Sequence, residues 1–198
     1  MAKIKKLFNL ADEYKKIWKY LKESKKFIYF TVALFFFFAL IGFFIPAPLI
    51  IQEKIIQFMR DILEQIKNMS QFELIRFIII NNIQSTFFGI FLGFLFGIFP
   101  ILGAITNGYL LGFVSLSSVS NGGVLTLWKI LPHGIFELPA VFISLGLGLK
   151  ISTFIFQKKK LVSLRENLTN SLRVFLLVII PLLIIAGIIE GTLIALSR

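Results

Sequence analysis

Apolar residues fall into long uncharged runs separated by charged segments, and the run lengths predict five membrane-spanning helices. Residues 27–51 carry no charged side chain and are long enough to cross ~30 Å of hydrocarbon at ~1.5 Å per residue. Pro46 and Pro48 are expected to end that helix. Residues 77–128 are also free of charge, too many for one span and enough for two. The expected break lies near Pro100 to Gly103, which gives spans at 77–99 and 101–119. Ser120, Asn121, Gly122 and Gly123 form a turn cluster. Lys129 and Lys150 bracket a fourth span at 130–149, and a basic loop leads to a fifth at 174–196.

Two further segments are amphipathic. Ile4, Leu7, Phe8, Ala11, Tyr14, Ile17, Trp18 and Leu21 recur at helical spacing, with lysines on the remaining arc. Such a basic helix, within an amino-terminal segment 1–26, is expected to lie in the membrane interface. Between the first two spans, Ile55, Met59, Ile62, Ile66 and Met69 predict a second surface helix. The predicted fold is therefore all-α: an amphipathic segment 1–26 and one polytopic transmembrane domain 27–198.

Composition agrees. The chain has 198 residues, is 57% hydrophobic and carries 24 phenylalanines, more than a soluble domain of this size can bury. Its net charge of +11 would suggest nucleic acid in a soluble protein. Here the basic residues flank hydrophobic runs, so they set topology and attract anionic lipid head groups instead. Residues 1–26 hold nine lysines against three acids, and residues 150–173 six basic residues against one acid. The segment between spans one and two is balanced at four and four. The positive-inside rule then predicts an amino terminus in the cytoplasm, a carboxy terminus outside, and residence in the plasma membrane. The amino-terminal segment is too polar for a cleavable signal, and the first span is expected to act as an uncleaved anchor. The absence of cysteine removes disulfides, thiolate chemistry and cysteine-based metal sites.

The candidate chemistry is a set of polar residues inside the predicted spans. His133 and Glu137 lie four apart, on one helix face. Counting from the flanking charges places Glu137, Glu190, Asn81 and Asn82 with His133 in the outer half of the bilayer, and Asn107 nearer the inner face. Pro132 suits a first helical turn, and Pro139 removes one backbone donor within the fourth span. Ionisable groups in hydrocarbon are costly, so three readings compete. The group satisfies itself and fixes helix register; or it lines a path for protons, ions or a polar substrate; or it binds metal. HxxxE supplies two ligands where zinc wants three or four, and neither HExxH nor GxSxG occurs. No catalytic residue, metal site or cofactor is expected. Gly89, Gly93 and Gly97, and Gly108 with Gly112, make stripes where helices approach closely, within the bundle or across a homodimer.

The string Pro132-His133-Gly134 with Glu137-Leu138-Pro139-Ala140 resembles the stage II sporulation protein M family of integral membrane proteins. Asn82, Gly97, Pro100, Asn107-Gly108 and Gly112 add to the resemblance, which covers residues 82 to about 148. It implies an α-helical membrane domain of about five spans. The family's namesake belongs to an engulfment complex in spore-forming bacteria, anchoring partners that degrade peptidoglycan. Relatives occur in organisms that never sporulate, so that role is not carried over. What the resemblance implies is a non-enzymatic membrane scaffold with membrane-protein partners. The alternative is a transporter or lipid-handling protein using a pocket around His133, Glu137 and Glu190; a third is an intramembrane metalloenzyme.

Overall fold

The computed structural model describes residues 9–45, 47–123 and 131–196; the side chains of residue 121 and residues 131–133 fall outside that description. Among the described residues every regular element is helical: α1 (Leu10–Phe44), α2 (Leu49–Ile66), α3 (Gln71–Phe91), α4 (Ile98–Gly122), α5 (Leu131–Ser152), α6 (Lys160–Val174) and α7 (Ile180–Leu196). Five helical segments are long and apolar enough to span a membrane: Leu10–Phe44, Gln71–Phe94, Ile98–Ser120, Gly134–Phe156 and Lys160–Leu196. The protein is an all-helical, multi-pass integral membrane protein.

Three boundaries differ from the sequence reading. The described part of the amino-terminal amphipathic segment, residues 10–26, is not a separate helix. It and the first span form one 35-residue helix, because neither proline nor glycine interrupts residues 10–41. Asn9 starts it, its Oδ1 accepting from the Ala11 amide at 3.0 Å. The hairpin between the second and third spans turns at Leu95–Gly97, not at Pro100–Gly103. Phe96 and Gly97 adopt φ of 58° and 73°, and Gly97 caps α4. Pro100 falls in the first turn of α4, where a missing amide removes no helical bond. Finally, the basic loop before the fifth span is largely the helix α6, joined to α7 through a π-helical turn, Phe175–Ile179.

That π turn precedes Pro181, which has no amide to offer the Leu177 carbonyl. The hydroxyl of Tyr14 lies 3.5 Å from this carbonyl. Where they meet, α1 and α6 run in opposite directions. Tyr20 contacts Ser171 at 3.2 Å, whereas Glu13, nearer the amino terminus, pairs with Arg173 at 3.1 Å. The early part of α1 is thus packed against α6 and the π turn, with Ile17 and Tyr20 only 3% and 5% exposed.

α5 is the central post, touching α1, α3, α4, α6 and α7. Lipid tails are as apolar as leucine, so close backbone contact and interhelical hydrogen bonds hold such a bundle together. A Cβ on Gly108 or Gly112 would land on the carbonyl of Phe35 or Ala39 in α1. Gly93 in the turn after α3 abuts Gly148 of α5, and Gly148 in turn abuts Gly89. The glycine stripes are therefore consumed within the chain, which removes the observation that suggested a homodimer. Ser144 of α5 donates to the Thr86 carbonyl of α3 at 2.6 Å, and Thr31 of α1 to the Phe142 carbonyl at 3.3 Å. The main buried cluster, including Ile90, Leu147, Ile151, Val174, Ile179 and Leu183, fills the half nearer the amino terminus. The opposite half is left more open.

Candidate functional site

Beyond their turn, α3 and α4 part, and each packs chiefly on other helices, α3 on α7 and α5, α4 on α1. The space between them is a V-shaped cleft. Asn81, Asn82, Ser85, Thr86, Gly89 and Leu92 line it from α3, and Phe99, Gly103, Thr106, Asn107 and Leu110 from α4. Both sets recur at three- and four-residue steps, one face of each helix. α5 forms the back wall with Glu137, Val141, Ser144 and Leu145, and α7 adds Glu190. Phe58 and Ile62 of α2 complete the lining. The cavity encloses about 620 Å³.

Four of the residues singled out in the sequence, Asn81, Asn82, Glu137 and Glu190, thus line one cavity from three helices. Asn107 lines it too. Because the turn is at Leu95–Gly97, Asn107 lies about ten residues along α4, or ~15 Å from that turn. Its side-chain amide donates to the Gly103 carbonyl at 2.8 Å. Pro132 is the second residue of α5, and Pro139 is accommodated inside that helix. The side chain of His133 lies outside the described residues. Among the described residues, no group of three or more potential metal-ligating side chains occurs.

Sequence reasoning missed Thr106, Ser144 and the α2 residues. The signal for Ser144 was present: it stands seven residues after Glu137, on the same face. Thr106 adjoins Asn107 and bonds back to the Leu102 carbonyl at 2.8 Å. Nothing in the linear pattern tells which span α2 overhangs.

A second hollow, of about 630 Å³, lies on the other side of Glu137 and Asn107. Its lining is mostly apolar, with Phe35 and Phe36 of α1, Leu111 and Val114 of α4, and Ile135 and Leu138 of α5. Asn107, Leu110, Glu137 and Val141 border both hollows.

At the amino-terminal end of the bundle, α1 and α6 form a polar platform. Lys150 of α5 lies 3.5 Å from Glu23 and 3.7 Å from the centre of the Tyr20 ring. Leu164 and Leu168 of α6 face the core, while Leu161, Val162, Arg165 and Glu166 are exposed.

Residues 31–193 match the family model described as Stage II sporulation protein M, a range that contains the whole cleft. The chain is also 33% identical over 119 residues to an uncharacterized protein of Methanocaldococcus jannaschii, an alignment covering 57% of this chain and 66% of that protein. The chain thus spans just under two thirds of that relative's length. No solved structure matches it. With five apolar helices and a family match over most of its length, the chain belongs to the stage II sporulation protein M family.

Proposed function

We propose that the protein is a non-enzymatic membrane scaffold whose partner docks on the platform of α1 and α6. The observation that supports this reading is the bracing of that platform. Glu13–Arg173 and Tyr20–Ser171 tie α1 to α6, and Glu23–Lys150 ties α1 to α5. A surface held this firmly presents Trp18, Val162 and Arg165 in fixed register, which lowers the ordering cost of binding. The test is a photoreactive residue at Trp18 or Val162 in native membranes. The expected result is one protein adduct of defined mass, lost in Arg165→Glu. Lipid adducts alone at both positions would refute the scaffold.

A second reading, a lipid-handling or transport protein, is favoured by the cleft. Two carboxylates and three asparagines share one cavity inside the spans, where polar groups facing hydrocarbon cost free energy unless something polar meets them. Movement of lipid or solute between vesicles containing the purified protein tests it; transport unchanged by Glu190→Gln argues against the cleft as its route.

A further inference from the structure

We infer that Asn68, in the turn between α2 and α3, is an N-glycosylation site that takes its sugar from a polyprenyl-phosphate-linked oligosaccharide on the extracytoplasmic face. The assignment depends on neither reading above and needs only the topology predicted by charge.

Asparagine followed two residues later by serine or threonine, with no proline between, is the acceptor pattern for N-linked sugar. It occurs twice in the chain, at Asn68-Met69-Ser70 and at Asn167-Leu168-Thr169. Position in the fold separates the two.

The first lies outside both neighbouring helices, since α2 ends at Ile66 and α3 begins at Gln71. Asn68 is exposed in that turn, and Ser70 follows in extended conformation, with ψ of 163°. The Ser70 hydroxyl donates to Glu73 at 2.7 Å in an exposed bond, which another partner replaces at little cost. Arg76 is the last charge before the uncharged run 77–128. Asn68 stands eight residues before it, ~12 Å even at the helical rise of ~1.5 Å per residue, and so clears the hydrocarbon. Its segment joins spans one and two, on the face opposite the lysine-rich amino terminus.

The second fails on both counts. Asn167 lies within α6, where its carbonyl and side-chain oxygens face the Tyr20 hydroxyl at 3.2 and 3.4 Å. Its segment, with six basic residues against one acid, is the one that charge assigns to the cytoplasm.

In the transfer, the Asn68 Nδ2 attacks C1 of the first sugar. The N–C1 bond forms as the C1–O bond to the polyprenyl phosphate breaks, and the electron pair leaves on the phosphate oxygen. The displaced amide proton passes to a base of the transferase. The attached saccharide is bulky and water-seeking, so it holds the α2–α3 turn in water. That limits how deep α2, which buries none of its own residues and exposes Leu49, Ile50 and Leu63, sinks into lipid.

The test is peptide mass spectrometry of the full chain purified from its native membranes. The expected result is an oligosaccharide on Asn68, an unmodified Asn167, and an intact mass above that of the sequence. Asn68→Gln and Ser70→Ala should each lose the whole adduct. Ser70→Thr, which keeps a hydroxyl at the acceptor position and a helix cap, should retain it. An unmodified Asn68, or an adduct that survives Ser70→Ala, would overturn the assignment. Sugar on Asn167 would overturn it as well, together with the topology on which it stands.

Discussion

At the scale of single residues, the helix contacts set sharp limits on substitution. Gly112 sits against the Ala39 carbonyl, so a Cβ there has no room. Gly112→Val is expected to cost ~1–3 kcal/mol, the usual range for overpacking, read as a lower unfolding temperature in detergent. Gly134 is the control: among the described residues its added Cβ would meet only the Leu138 side chain at 3.5 Å, and Gly134→Ala should not lower the midpoint but raise stability by up to ~1 kcal/mol, since alanine is the better helix former. Phe96 is the opposite case. It holds a left-handed φ of 58° and is 67% exposed, so Phe96→Gly should raise stability by ~1 kcal/mol through relief of backbone strain. The carboxylates were legible in the sequence because charge within apolar runs is conspicuous. The strained pair at Phe96–Gly97 was not, since a proline three residues later drew the break to itself. A proline in a first helical turn is permitted, whereas a positive φ needs a turn.

Among elements, the long helix α1 changes the picture most. Its apolar periodicity is legible in the sequence, yet periodicity does not say whether such a face meets lipid or protein. The structure supplies the protein: Ile17 and Tyr20 join the cluster of Val174, Phe175 and Ile151. What the sequence held was the missing breaker, with glycine first appearing at Gly42. The Lys150 ammonium, close to both Glu23 and the Tyr20 ring, couples α1 to α5. A double-mutant cycle between Lys150→Met and Tyr20→Leu should therefore show ~0.5–2 kcal/mol of coupling, as expected for a partly desolvated cation over a ring. Additive effects in thermal unfolding would mean that the ring contact contributes nothing. The π turn has a similar logic, since Pro181 leaves the Leu177 carbonyl without its helical donor and Tyr14 stands nearby.

On the scale of the whole molecule, the halves differ. The half nearer the amino terminus is filled by large apolar side chains and braced by ion pairs, while the opposite half holds the cleft. Five spans could be counted from uncharged run lengths. Their lateral arrangement could not, because which helices neighbour one another depends on glycine contacts far apart in the chain, such as Gly108 on Phe35 and Gly148 on Gly89. Charge asymmetry predicts an amino terminus in the cytoplasm, and the cysteine-free sequence makes that expectation simple to check. A single cysteine at Val162 should react with an impermeant thiol reagent only from the cytoplasmic face, and one at Leu63 only from the other. Reaction of both from one face would contradict the topology.

The same chemistry tests the cleft most directly. Ser85 and Thr106 line it, whereas Phe37 of α1 is 58% exposed and lines neither hollow. In reconstituted vesicles, Ser85→Cys and Thr106→Cys should be modified by a membrane-impermeant reagent from the side opposite the amino terminus, and Phe37→Cys should stay silent. Silence at Ser85→Cys and Thr106→Cys, equal to that at Phe37→Cys, would show that no polar cleft opens within the bundle.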